Sequence, residues 1–185
     1  MRSTVADSTK RVARDPECLS DECGSTKPHA TRMPFEFFYA GTHTMAETPD
    51  FNAFNRSIIA EFRENDGAVN GPFAGAPLLL LTTTGAKTGI ERTIPLVHTR
   101  DGDHIVIIAS KGGAPRHPDW YRNLSTNPLV TVELPGETFH AKARVADGAE
   151  RDRLYRAQAD LMPNFDAYAA KTDRQIPVVV LERVA

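Results

Sequence analysis

The stretch Thr82-Thr83-Thr84-Gly85-Ala86-Lys87-Thr88-Gly89-Ile90-Glu91-Arg92 decides the fold, because it separates two apolar runs by a glycine-bracketed loop. The pattern predicts a strand over 77–83, a loop, and a second strand over 92–99. Lys87 and Arg92 lie on this loop, where glycine lets backbone N–H groups approach a ligand. The stretch therefore predicts either a site for phosphate or carboxylate, or a hairpin loop with solvated charges.

Composition limits the classes of protein. The chain has 185 residues, 41% of them hydrophobic, and a formal net charge of -2, which argues against general nucleic-acid binding. No window approaches the roughly 18 apolar residues of a membrane span, and the N-terminus lacks the apolar segment of a signal peptide. Cys18 and Cys23 have no second pair and so form no zinc signature. A cytoplasmic protein is the simplest expectation.

The first part of the chain differs from the rest. Residues 1–46 are polar and without periodicity, which predicts a disordered extension, or a misassigned start with Met45 as the natural first residue. Residues 47–185 are then one folded domain. A helix-start signal, Thr48-Pro49-Asp50, opens this domain. The helix that follows carries an apolar stripe from Phe51 to Phe62, typical of core packing but also compatible with a substrate pocket or a membrane surface.

Beyond the first helix, strands and tight turns dominate. Asp101-Gly102-Asp103 predicts a hairpin turn, and Asp147 or Asp152 opens a charged helix. Consecutive antiparallel strands favour a small barrel over a doubly wound sheet, giving a mainly β fold with flanking helices. The further predicted elements are strands over 104–109, 129–134, 138–145 and 176–181, and short helices over 118–124 and around 163–168.

Several familiar chemistries do not fit. A P-loop needs adjacent glycine and lysine followed by a helix, but Ala86 separates Gly85 from Lys87 and a strand follows. No three-glycine pattern opens a helix, which excludes a dinucleotide fingerprint. The six histidines are scattered, so no metal site is expected. What remains is a cofactor site with Lys87, Arg92 and Lys111 for an anionic tail, and Trp120 with glycines for a flat ring.

Several motifs of the chain occur in the same order as in a known protein family. The chain contains Gly85-x-Lys87-Thr88-Gly89-x2-Arg92-x2-Pro95-Leu96, Asp101-Gly102, Ala109-Ser110-Lys111-Gly112-Gly113, Pro118-x-Trp120-x2-Asn123 and Asn127-Pro128. Over residues 51–184 it closely resembles the deazaflavin-dependent nitroreductase family, which uses coenzyme F-420. The resemblance implies a split β-barrel related to flavin-binding oxidoreductases, often dimeric. It also implies that the reduced deazaflavin donates a hydride from its C5 carbon.

The resemblance also implies roles for individual residues. Lys87 and Arg92 would hold the phosphate and oligoglutamate tail of the cofactor, and Ser110 or Tyr168 would supply a catalytic proton if water does not. The remaining predicted cofactor-binding residues are Ala86, Thr88, Thr93, Ile94, Pro95, Leu96, Val97, Ile108, Ala109, Ser110, Lys111, Asp119, Trp120, Tyr121, Arg122, Asn123 and Phe165.

The acceptor side departs from the family pattern. Met162 and Phe165 stand where the nitroimidazole-reducing member has tyrosines, and only Tyr168 keeps a phenol. A quinone is therefore the expected acceptor, with a nitroaromatic compound less favoured. The alternatives are a barrel that binds FMN and a deazaflavin carrier without turnover. A homodimer and peripheral contact with the inner face of the cell membrane are further expectations from relatives.

Overall fold

The structure, a computed structural model, describes residues 51–184. Within that range the chain forms six strands and four helices. The strands are β1 (Leu78–Thr84), β2 (Glu91–Asp101), β3 (His104–Ile108), β4 (Leu129–Leu134), β5 (Glu137–Ala146) and β6 (Val178–Arg183), and the helices are α1 (Phe51–Glu64), α2 (Asp119–Thr126), α3 (Gly148–Leu161) and α4 (Asn164–Ala170).

The strands form a closed antiparallel barrel in the order β1-β2-β3-β6-β5-β4. This confirms the mainly β barrel with flanking helices that the sequence predicts. The hairpin turn after Asp101 is confirmed by the pairing of Asp101 with His104. The predicted extension over 1–46, both cysteines and the helix-start signal at 48–50 lie outside the described residues.

The interior of the barrel follows from the alternation of side chains along each strand. Leu79 and Leu81 point inward with Ile105 and Ile107, and all four are buried. Leu78 and Leu80, between them on β1, point outward but are also buried. The apolar run of β1 is therefore continuous because both of its faces are covered.

Helix α1 covers the outer face of β1. Ile58 and Phe62 are buried against Leu78 and Leu80, while Phe51, at the start of the helix, is 58% exposed. The apolar stripe thus packs on the core, as the first interpretation of the sequence predicts. No helix within residues 51–184 is long and apolar enough to cross a membrane.

Helices α3 and α4 cover the outer face of β3 and β6. Their buried side chains pack with Val106, Val178 and Val180. Asp147 immediately precedes α3, which settles the alternative between Asp147 and Asp152 in favour of Asp147. The hydroxyl of Tyr155 donates a 2.8 Å hydrogen bond to the carbonyl of Phe165 and so ties α3 to α4.

Strand β2 changes partner halfway along its length. From Glu91 to Val97 it pairs with β1, and from His98 to Asp101 it pairs with β3. Among the described strands, none pairs with the β3-facing edge of β2 between 91 and 97. The strand order closes the barrel, but its wall has an open seam between β2 and β3 beside residues 91–97.

Candidate functional site

The first wall of the candidate site is the loop between β1 and β2, residues 85–90. It is closed at its base by a 2.9 Å hydrogen bond from the Gly85 N–H to the Ile90 carbonyl, and a 2.8 Å bond joins the Gly89 N–H to the Gly85 carbonyl. Gly89 has φ +68°, and a Cβ at Gly85 would lie 2.6 Å from Thr88 Oγ1. Both glycines are thus required by the turn, which leaves Lys87 exposed at its tip.

Asn123, on α2, anchors this loop to the barrel. Its Oδ1 accepts a 3.1 Å hydrogen bond from the Ala86 N–H, and its Nδ2 donates a 3.1 Å bond to Thr83 Oγ1. Thr83 is 1% exposed at the end of β1, and Asn123 is 9% exposed. The amide of Asn123 therefore positions the cationic loop, and its predicted contact with the cofactor stays a prediction.

The second wall is the loop after β3. Lys111, Gly112 and Gly113 have φ values of +49°, +64° and +80°, three consecutive left-handed residues. A Cβ at Gly113 would lie 2.6 Å from the Tyr168 carbonyl oxygen, so the loop packs directly on α4. Ser110 is buried, but no hydrogen bond occupies its Oγ among the described residues. Lys111 is exposed.

Arg174 holds the second wall, and sequence reasoning did not identify it. Its guanidinium donates to the carbonyls of Ser110 (2.6 Å), Ala109 (3.2 Å) and Ala114 (2.7 Å). It also lies 3.1 Å from Nδ1 of His117. Burial holds the pKa of Arg174 below its ordinary value. The pKa of His117 is also lowered, first by burial and then by the charge of Arg174.

The predicted contacts on β2 lie on two faces of the strand. Ile94 and Leu96 pack against the barrel interior, whereas Val97 packs against the α1 cluster. Thr93, on the same face as Val97, bonds Thr82 through its hydroxyl at 2.7 Å. A ligand lying on one face would meet only one of these sets. The unpaired edge between 91 and 97 borders both sets.

Helix α2 lies beside both walls. The ring of Trp120 is 6% exposed and packs in the barrel core. Tyr121 is half-buried, with its ring 5.0 Å from that of His117, while Asp119 and Arg122 are exposed. Trp120 therefore closes the end of the barrel beneath the site, and its neighbours Tyr121 and Arg122 offer more surface to a ligand.

Of the residues predicted for the acceptor side, Phe165 and Tyr168 lie on α4, whereas Met162 directly follows α3. Phe165 is 7% exposed, with its ring centroid 5.5 Å from that of Tyr168 in an edge contact. Tyr168 is half-buried, and its hydroxyl accepts a 3.0 Å hydrogen bond from Asn164 Nδ2. The structure brings Tyr168 to the Gly113 side of the site, while the contact with cofactor predicted for Phe165 stays a prediction.

The charges at these walls suit a polyanion. Lys87, Arg92 and Lys111 are exposed, and across residues 51–184 no carboxylate lies within ion-pair distance of them. Seven arginine–carboxylate pairs form elsewhere in this part of the chain, and none of them includes these three side chains. The donors present therefore fit the phosphate and carboxylates of a deazaflavin tail.

Other features lie away from these walls. A cleft lined by His98, Arg100 and Glu137 lies at the opposite end of the barrel, where β1 begins. Within the described residues no group of three or more histidine, cysteine, aspartate and glutamate side chains is placed to hold a metal ion. The candidate site is thus the surface between the two loops.

Comparison with known proteins gives consistent results. The family model described as F420H(2)-dependent quinone reductase matches residues 54–183. The F420H(2)-dependent quinone reductase Rv1261c of Mycobacterium tuberculosis (strain ATCC 25618 / H37Rv) is 42% identical over 128 residues, covering 67% of this chain and 86% of the relative.

Two solved structures are similar. A structure described as an F420-H2 dependent reductase (FDR-A) has a TM-score of 0.54 at 39% identity, over 57% of this chain and 94% of that chain. A chain described as a domain-swapped dimer has a TM-score of 0.56 at 35% identity, over 72% and 98% respectively. With a family model matching more than two thirds of its residues, the chain belongs to the F420H(2)-dependent quinone reductase family.

Proposed function

We propose that the protein is an oxidoreductase that transfers a hydride from reduced coenzyme F-420 to a quinone. Membership of the F420H(2)-dependent quinone reductase family supports both the cofactor and the acceptor class. When bound, the reduced deazaflavin supplies the hydride, and the protein supplies binding, orientation and exclusion of water. No strongly acidic or basic side chain is needed at the reacting atoms.

The observation that carries the proposal is the set of unpaired cations beside the open seam. Lys87 lies on the first loop, Arg92 lies at the start of β2 directly after that loop, and Lys111 lies on the second loop. Charge-assisted hydrogen bonds to phosphate and carboxylate are among the strongest available to a protein surface. Lys87 and Arg92 hold the anionic tail, and Lys111 holds the polar edge of the ring system.

We infer that two hydroxyls take part in supplying the proton. Reduction of a quinone to a hydroquinone consumes one hydride and one proton in total. Ser110 Oγ, with no hydrogen-bond partner among the described residues, donates a hydrogen bond at the ring edge. Tyr168 contributes its phenol from α4, and water completes the proton supply.

A quinone is favoured over a nitroaromatic acceptor. The segment from Met162 to Tyr168 carries one phenol, and Phe165 is buried against its neighbours. Quinone reduction mainly needs an apolar slot beside the cofactor, whereas a nitro group gains from several hydrogen-bond donors. We therefore place nitroaromatic reduction second.

Cofactor selectivity tests the proposal. The purified protein is titrated with oxidised coenzyme F-420 and with FMN, following the fluorescence of Trp120, its only tryptophan. We expect saturable binding of F-420 and weak binding of FMN. Micromolar binding of FMN without binding of F-420 would identify the protein as a flavin-dependent reductase instead.

A second measurement separates an enzyme from a carrier. Reduced F-420 is mixed with protein and menadione, and cofactor oxidation is followed by absorbance. We expect turnover in excess of the protein concentration. Binding of F-420 with no oxidation above the protein-free rate, with menadione and with a longer-chain quinone, would indicate a carrier.

Peripheral membrane contact and dimerisation are additional proposals. Phe51, exposed at the start of α1, supports a weak contact with lipid, which flotation with anionic liposomes tests by comparing wild type with Phe51→Glu. A relative at 35% identity is described as a domain-swapped dimer, which supports a homodimer. Light scattering after size exclusion measures the mass directly.

A further inference from the structure

The loop after β3 has a backbone that needs external support. Its residues Lys111, Gly112 and Gly113 are all left-handed. Glycine adopts this conformation freely, but at Lys111 the Cβ makes it unfavourable by about 1 kcal/mol. Two backbone hydrogen bonds lie within the turn. They run from the Gly113 N–H to the Ser110 carbonyl (3.0 Å) and from the Ala114 N–H to the Lys111 carbonyl (3.1 Å).

One guanidinium supplies that support from outside the loop. Arg174 Nη2 donates to the carbonyls of Ala109 and Ser110, which precede the left-handed run. Arg174 Nε donates to the carbonyl of Ala114, which follows the run. The rigid fork of one side chain therefore joins the entry and the exit of the turn.

The third nitrogen of the Arg174 guanidinium connects the loop to the segment before α2. Nη1 lies 3.1 Å from Nδ1 of His117, and because arginine only donates, Nδ1 is the acceptor and the imidazole proton is on Nε2. His117 precedes α2, whose Asn123 holds the Ala86 end of the first loop. A chain of contacts thus runs from one wall of the site to the other.

Arg174 has no competing ionic partner within residues 51–184. None of the ion pairs in this part of the chain includes it, and its side-chain hydrogen bonds go to the loop and to His117. Since a half-buried cation with no carboxylate is costly, an ordinary stabilising ion pair does not account for its presence.

We propose that Arg174 is a positioning residue that fixes the left-handed turn at Lys111–Gly113 and thereby sets where Ser110 and Lys111 meet the cofactor. This inference rests on the proposed function, because the two loop side chains act on F-420. Arg174 itself acts through them and not as a ligand charge. Lysine at this position keeps the charge but cannot bridge three carbonyls.

The test is a double-mutant cycle between Arg174→Lys and Lys111→Ala, measured as the dissociation constant for oxidised F-420 by Trp120 fluorescence. We expect Arg174→Lys to weaken binding about tenfold, as loss of charge-assisted bonds does. We expect Lys111→Ala to weaken binding about tenfold in the wild type but less than about threefold in the Arg174→Lys background. Additive effects, or wild-type affinity in Arg174→Lys, would overturn the proposal.

Arg151→Lys is the matched control. Arg151 also has a half-buried guanidinium that donates to a backbone carbonyl, Ile176 O, at 3.2 and 2.8 Å, but none of its hydrogen bonds goes to the loop. We expect a loss of thermal stability similar to that of Arg174→Lys with unchanged affinity for F-420. Equal loss of affinity in both variants would show a general structural effect and would contradict a positioning role.

Hydrogen exchange of the ligand-free protein provides a reading that does not involve the cofactor. In Arg174→Lys, the amides of residues 109–117 are expected to exchange at least about tenfold faster, while Arg151→Lys leaves them unchanged. Unchanged exchange refutes the inference even if F-420 binds. If wild type fails to bind F-420, the proposed function fails, and this arm still decides whether Arg174 holds the turn.

A second variant covers the case in which Arg174→Lys does not fold. His117→Ala removes one of the four acceptors and leaves the three carbonyls in place. We expect smaller changes in the same direction: about threefold weaker binding of F-420, and about threefold faster amide exchange in residues 109–114. No change in either quantity would contradict the proposal.

Discussion

Asn123 and Ala86 are joined by a 3.1 Å hydrogen bond from the Ala86 N–H to Asn123 Oδ1, which ties the cationic loop to helix α2. The same amide donates to the buried Thr83 hydroxyl. One side chain therefore sets both the end of β1 and the start of the loop, and the position of Lys87 depends on it.

Asn123→Ala is expected to lower the free energy of unfolding by about 1–3 kcal/mol, because it leaves buried polar groups without partners. We also expect weaker binding of F-420, since the loop that carries Lys87 loses its anchor. Urea unfolding and fluorescence titration measure the two effects. Thr126→Ala, which removes an exposed side-chain bond on the same helix, is the control. Similar results for both variants would refute the anchoring role.

The charge of Arg92 is expected to contribute directly to cofactor affinity. Arg92→Ala should weaken binding of F-420 by about 1.5–3 kcal/mol, the range for a hydrogen bond to a charged group. Arg100→Ala removes an exposed arginine at the other end of β2 and should leave affinity unchanged. Raising the salt concentration should narrow the difference in F-420 affinity between wild type and Arg92→Ala, because salt screens the charge. Unchanged affinity in Arg92→Ala would place the tail elsewhere.

Lys111 should show opposite effects on stability and binding. Its φ of +49° favours glycine, so Lys111→Gly is expected to be more stable than Lys111→Ala by about 1 kcal/mol. Both variants lack the ammonium group and should bind F-420 more weakly than wild type. Thermal unfolding and titration of the pair separate the charge from the backbone conformation. A less stable glycine variant would contradict the left-handed turn.

The hydroxyls of Ser110 and Tyr168 should affect turnover more than cofactor binding. Tyr168→Phe and Ser110→Ala are each expected to lower kcat with menadione by about 10- to 100-fold if the group takes part in proton transfer. The dissociation constant for F-420 should change less than kcat. A solvent isotope effect that is unchanged in both variants would assign the proton to water.

His98 predicts a pH dependence of stability. Burial, with a smaller contribution from the charge of Arg100, lowers the pKa of His98, and its Nδ1 has no partner among the described residues. Below about pH 6.5 the unfolded chain binds a proton that the folded protein does not. The free energy of unfolding should therefore fall as the pH decreases from about 6.5 to the lowered folded pKa.

His98→Phe removes this titration and should flatten the curve between about pH 5 and 7, with a remainder from His117, whose pKa is lowered as well. The pKa values of Asp101 and Glu150 are also lowered, by Arg153 and Arg144 respectively. The stability that these two carboxylates contribute is lost only below about pH 4.5. The pH range in which they act can therefore be distinguished from that of the histidines. Parallel curves for wild type and His98→Phe would exclude His98 as the source.

Most of the barrel could be predicted from the sequence because its signals are local. The run Leu78–Leu81, the turn at Asp101-Gly102 and the alternation after Thr138 each indicate a strand or a turn within a few residues. The loop motifs at Lys87 and Ser110 likewise indicate a site, because glycine and cations are adjacent in the chain.

Arg174 was missed because its contacts are 57–65 residues away in sequence. One arginine between a helix and a strand carries no periodic or spacing signal, and carbonyl acceptors are invisible in a sequence. The two faces of β2 were predictable from the period of two, since Ile94 and Leu96 alternate with Thr93 and Val97. What that alternation could not reveal is that β2 pairs with β3 only from His98 onward.

The change of partner along β2 determines how a ligand enters. Because the seam beside residues 91–97 opens sideways along its length, we expect a long anionic chain to be laid in from the flank and not to be threaded through an aperture. Residues added to the far end of that chain extend into solvent. The protein should therefore accept cofactors with different numbers of glutamates at similar affinity, and chain length becomes a property that the cell can vary without altering this enzyme.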